Sequence, residues 1–417
     1  MSEHEHGPGG PPEGSHPGPY PGPPPAGEQP PAAPWQPPAH WAPPHGAPPH
    51  GGPQQPQQPQ QAPATWPAPP YGGPPQQAYA APPPNYRQPH QPMPAFPHPE
   101  PRPYHQMLRT WNYAAWRPMV GFLLVVVGFF VVMPLLMLPL LAAAVAVEGG
   151  DFGTKFVDAL TLKTVDPAAL LYLNLVLGSM ILVTWFVMRV IHRMRPRWLA
   201  SVRPRLRWKF LFACLGLAVV ALVAQAIVGH FVPGNDGGIG GHLNHFTASS
   251  LALGAVVLLT TPLQAAGEEY VFRGYTLQAF GSLFRVKWVA IVVSALLFGL
   301  AHGAQNPPLF FDRFFFGLVA AWLVTKTGGL EAGIAMHVLN NFLAFGVAIA
   351  FGDLTASLTV NQVSWWNIAL TLTQQGVYAV LVLLLARKMN LQTRTQPPVE
   401  PPSDGAPQNV QTVPSGA

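Results

Sequence analysis

The chain has 417 residues, 49% hydrophobic and 9% charged, with 53 prolines and a single cysteine, Cys214. One cysteine excludes an intrachain disulfide and a CxxC metal or redox pair. The net charge of +5 does not indicate nucleic acid, because the arginines lie mainly between apolar runs, where they read as membrane-topology signals.

Residues 1–110 are rich in Pro, Gly, Gln and His and nearly devoid of aliphatic side chains. Such a segment buries too little apolar surface to offset its ordering entropy, which predicts a disordered cytoplasmic tail suited to a protein partner. Its histidines have no zinc-like spacing. The start, MSEHEHGPGG, lacks the basic and apolar regions of a secretory signal. Residues 116–388 are too apolar for a soluble core, and a membrane span needs about 20 apolar residues. Eight candidates follow in order: Met119 to Val147, Ala169 to Ile191, Phe210 to Val232, Ser249 to Ala266, Trp288 to Ala301, Phe310 to Thr325, Ile334 to Phe351 and Trp366 to Ala386. Pro134 and Pro139 predict an irregularity in the first. Residues 389–417 return to Pro, Gln, Ser and Thr and read as a second disordered tail. The expected fold is an all-α polytopic bundle of about eight transmembrane helices.

Basic residues crowd alternate connections: Arg193, Arg195, Arg197, Arg203, Arg205, Arg207 and Lys209, then Arg285 and Lys287, Lys326, and Arg387 with Lys388. Eight spans with both termini in the cytoplasm satisfy the positive-inside rule.

Ionisable groups inside spans are costly and mark function. They form three motifs: Glu268-Glu269-x-x-x-Arg273, Phe298-x-x-x-His302 and His337-x-x-x-Asn341. Glu269 and Arg273 are spaced i, i+4 with the acid first, the favoured order for a helical ion pair. Glu268 is turned by about 100° from its neighbour and has no basic residue at i+4. A desolvated carboxylate without a cation suits general-base work on water. Phe298 at i, i+4 packs beside His302. His230, His242 and His245 read as interface and solvated-loop residues.

These three motifs, in this order and on separate membrane helices, resemble the CPBP family of intramembrane endopeptidases, which includes CAAX-processing, bacteriocin-processing and Abi-type members. The resemblance implies cleavage of membrane-embedded or lipidated peptides within the bilayer of a prokaryotic cell. It implies catalytic roles for Glu268, His302, His337 and Asn341, with Glu269, Arg273 and Phe298 supporting them. The family is named metalloprotease, and Glu268, His302 and His337 are candidate ligands for a divalent ion such as zinc. A metal-free scheme with a glutamate-activated water stays open beside it. A non-enzymatic transporter or scaffold is the reading from another class. On straight helices, His302 and Glu268 lie too far apart in depth to meet.

Overall fold

The structure, a computed structural model, describes residues 97–233 and 242–396. The disorder expected for residues 1–96 and 397–417 lies outside the described residues. Among them, every extended element is a helix. A 12-residue helix α1 (Trp116–Val127) and α2 (Met133–Glu148) are joined by a π turn at Gly128–Val132. That widened turn is the expected irregularity, and it sits where Pro134 cannot donate to the preceding turn. The short amphipathic α3 (Phe152–Leu160) follows, then α4 (Pro167–Val190) and α5 (Trp208–His230). Next, α6 (Ala248–Glu269) runs through a second π turn, Tyr270–Thr276, into α7 (Leu277–Phe284). The chain continues with α8 (Lys287–Leu300), α9 (Pro307–Thr327), α10 (Glu331–Phe351), the short α11 (Leu354–Leu358) and α12 (Asn367–Lys388).

Among the described residues, seven helical stretches are long and apolar enough to cross a membrane, and the fifth expected span, here Lys287–Leu300, is a shorter apolar helix. Outward-facing leucines such as Leu251, Leu258 and Leu259 are largely exposed, as lipid-facing side chains are. The protein is a multi-pass integral membrane protein with an all-α bundle fold. Inside the bundle α4 packs along α6, α8 along α9, α5 along α12, and α10 against both α5 and α6.

Three boundaries differ from the sequence reading. The fourth span does not stop near Ala266: it is one continuous helical stretch over Ala248–Phe284. Its charged residues are tolerated because residues 267–279 are buried against protein rather than lipid. The structure also moves the upstream boundary, because residues 97–110 form a packed collar rather than a tail. Tyr104, Met107 and Leu108 are buried, and the Tyr104 hydroxyl donates to the Leu199 carbonyl. Downstream, Arg394 bridges to Pro103 and Thr395 Oγ1 accepts from the Arg102 amide at 2.8 Å. A few large apolar side chains in these flanks find a groove that composition averages conceal. The collar, the 198–205 connection, the Ser282–Arg285 corner and the 328–330 turn therefore gather at one end of the bundle.

Candidate active site

Two glycines let the site assemble. A Cβ on Gly267 would strike the Leu177 carbonyl and Gly178 Cα, so α6 lies backbone to backbone on α4. A Cβ on Gly333 would overlap Glu269 Oε2, so α10 can close over that carboxylate. The π turn then continues the helix while the Phe272 carbonyl takes a hydrogen bond from Ser294 Oγ of α8 at 2.7 Å. This side-chain donor serves a carbonyl that the widened turn displaces.

Glu269 and Arg273 pair as their spacing predicts, with Arg273 Nη1 donating to Glu269 Oε1 at 2.8 Å and both side chains fully buried. The guanidinium also lies over the Phe298 ring, 4.0 Å from its centroid, and 5.4 Å from that of Phe316. Cation–π contacts of this kind offset part of the charge's desolvation. His337 reaches both glutamates from α10. Its Nδ1 lies 2.9 Å from Glu269 Oε1 and its Nε2 lies 3.3 Å from Glu268 Oε2. The second contact lacks hydrogen-bond geometry, and Glu268 Oε2, Glu269 Oε2, Arg273 Nε and Arg273 Nη2 are buried without a hydrogen-bond partner. Glu268 is therefore not isolated, as its helical position alone suggested; its neighbour comes from another helix.

One turn along the same two helices, Asn341 Nδ2 donates to Gln264 Oε1 at 2.9 Å. Asn341 and Gln264 lie four residues from His337 and Glu268 respectively, so the pair is a second rung between α6 and α10. His302 follows the end of α8, exposed, with Nδ1 2.8 Å from the Phe298 carbonyl. Its ring meets Phe298 edge-on with centroids 4.8 Å apart, the contact its spacing predicted, and it lies within electrostatic reach of Glu268. The depth conflict dissolves because the Glu268 helix continues past Arg273 to Phe284. Phe298 touches Phe272, His302, Phe316, His337 and Arg273 and holds the three motifs around one ring.

The metal set fits less well. Among the described residues no three His, Cys, Asp or Glu side chains are grouped to hold an ion, and both nitrogens of His337 face glutamates.

Two contributors escaped the sequence reading. Gln264 carried a usable signal, its i−4 relation to Glu268 on a helix otherwise apolar there. Phe316 carried none, since it comes from α9, outside all three motifs, and meets His337 with centroids 5.2 Å apart.

Residues 248–343 match the family model described as Rce1-like, type II CAAX prenyl endopeptidase. The match covers α6 through most of α10, the segment that supplies every residue of the site. A curated relative, the uncharacterized protein YyaK of Bacillus subtilis, is 27% identical over 238 residues, 54% of this chain and 78% of its own length. No solved structure matches the chain. Over residues 248–343, the segment that builds the Glu268–His337 constellation, the chain is similar to the Rce1-like type II CAAX prenyl endopeptidase family.

Proposed function

We propose that the protein is an intramembrane endopeptidase that hydrolyses a peptide bond of a membrane-associated peptide or protein with a water activated by Glu268. The observation that carries this reading is His337 set between Glu268 and Glu269. With His337 protonated, two carboxylates face two cations, so the buried group is neutral as a whole. Its Nδ1–H donates to Glu269, which fixes the ring, and its Nε2–H points to the Glu268 side. His302 gives its Nδ1–H to the Phe298 carbonyl, which leaves Nε2 as an acceptor that orients a water.

Glu268 takes a proton from that water as oxygen attacks the carbonyl carbon. The oxyanion accepts from the Nδ2–H of Asn341 not used by Gln264, together with His337 Nε2–H. When the C–N bond breaks, Glu268 returns the proton to the leaving amine. The Arg-rich end, where the collar and basic connections gather, faces the cytoplasm of a prokaryotic cell under the positive-inside rule.

The test is cleavage of a panel of membrane peptides, prenylated and unmodified at a C-terminal cysteine, by purified protein. Glu268→Gln keeps the shape and removes the basicity, and the expected result is no cleavage with unchanged melting. Prolonged chelation is expected to leave the wild-type rate in place; reversible loss on chelation would replace the glutamate-water scheme with metal ligation. Cleavage by Glu268→Gln at the normal rate would refute the assignment.

A further inference from the structure

Beside the Arg207–Glu331 pair, the connection between α4 and α5 folds into a groove of about 770 Å³. Its walls carry Arg197, Arg203, Arg205 and Lys209, flanked by Trp185 and Trp208, and Tyr270, the residue after Glu269, lies on its lining. The four cations are exposed, and none of them enters an ion pair among the described residues. Their backbone is fixed. Ser201 Oγ donates to the carbonyls of Arg203 and Arg205, the Val202 amide donates to Gly328 O at 2.8 Å, and the Leu330 amide donates to Ala200 O at 2.9 Å.

A topology signal asks only for positive charge in the connection, and Arg193 and Arg195 supply that outside the groove. It does not ask for a concave wall on a pinned loop between two indoles. Trp185 lies near the end of α4 and Trp208 begins α5, and both are substantially exposed. That is where indoles settle at the lipid headgroup level. Guanidinium groups converging on one concavity suit a phosphate, which they bind in bidentate fashion.

We propose that this groove is a binding site for the phosphate of an anionic membrane lipid, with the indoles beside the glycerol region; a free phosphate anion presents the same chemistry to the arginines. The inference is independent of the protease reading. The test titrates the full chain, in dodecyl maltoside micelles, with phosphatidylglycerol, phosphatidylcholine or inorganic phosphate, followed by tryptophan fluorescence and native mass spectrometry. Phosphatidylglycerol is expected to bind in a salt-sensitive way and phosphatidylcholine not to bind. The double variant Arg203→Gln/Arg205→Gln is expected to weaken phosphatidylglycerol binding about 25-fold, about fivefold for each arginine near a charged headgroup. Arg193→Gln/Arg195→Gln removes the same charge outside the groove and should leave binding unchanged.

Equal melting temperatures for wild type and both variants establish that the fold is intact. Saturation by inorganic phosphate as tight as by the lipid, and lost in the first double variant, would support the phosphate site and assign it to a soluble anion. Equal weakening in both double variants would reduce the effect to diffuse charge and overturn the proposal. So would undiminished phosphatidylglycerol binding to Arg203→Gln/Arg205→Gln.

Discussion

Two buried acid–base groups sit in this bundle, and they are finished to different degrees. Arg207 and Glu331 are saturated: the Arg207 amide and Nε donate to Oε1 at 2.9 and 2.8 Å, Nη2 donates to Oε2 at 2.6 Å, and Nη1 donates to the Thr327 carbonyl at 2.8 Å. Neither side chain keeps a buried polar atom without a partner. The Glu268–Glu269–Arg273–His337 group has about the same burial, yet two carboxylate oxygens and two guanidinium nitrogens in it have no hydrogen-bond partner. Buried polar groups are normally satisfied. A pair in which no buried side-chain polar atom lacks a partner locks the α9–α10 turn to the α4–α5 connection, whereas one with buried polar atoms still unpartnered has something left to offer a reacting molecule.

The strongest way to break this contrast is to neutralise one acid from each group. Glu268→Gln is expected to end turnover without loss of folded protein. Glu331→Gln leaves the Arg207 charge buried and uncompensated, at a cost of about 3 to 5 kcal/mol, and is expected to lower the melting temperature and yield. If both variants lost stability alike, the two groups would be equivalent and the contrast would fail. A smaller effect sharpens the site itself. Asn341→Ala is expected to lower kcat about 10²- to 10³-fold with KM little changed, as loss of one oxyanion donor does. Gln264→Ala, which frees Asn341 without removing it, should cost less; an equal loss would make the Gln264–Asn341 rung the functional unit.

The smallest effect concerns the collar, whose residues take no part in this chemistry. Burial, reinforced by Lys287 and Arg394, lowers the pKa of His105 from 6.5 to about 4. His98 is lowered as well, chiefly by burial. An imidazole held neutral when docked binds its proton more readily when released. Docking therefore keeps full strength above about pH 6.5 and loses it as pH falls through the window from 6.5 toward 4. Hydrogen exchange of residues 97–110, corrected for intrinsic rates, should accelerate across that window, and His105→Phe should flatten the profile. A flat profile in the wild type would place the collar's anchoring in Tyr104, Met107 and Leu108 alone.

Much of the bundle was legible because its signals are local. An apolar run of about 20 residues must be a helix in lipid, since no water is there to serve its backbone. Span edges such as Lys287–Leu300 and Asn367–Lys388 accordingly fall within three residues of those read from composition. The Glu269–Arg273 pair was equally local, because four residues of helix bring the two side chains to one face whatever surrounds them. Phe298 and His302 meet for the same reason.

The tertiary structure decided what depends on a second chain segment. The amino-acid order places Glu268 off the axis of any basic neighbour on its own helix, but only the approach of α10, permitted by Gly333, brings His337 between the two glutamates. The length of the Glu268 helix was likewise undetermined: charged residues end a span facing lipid and are tolerated in one facing protein, and the sequence of residues 267–284 does not reveal which side they face. The collar was hidden for a related reason, since Tyr104, Met107 and Leu108 are too few to form a core and are buried only because a groove on another part of the chain receives them. Spacing along one helix is set by covalent geometry and hydrogen-bond pitch, so it can be read from the sequence, whereas the meeting of helices depends on the packing of their surfaces and exists only in the folded molecule.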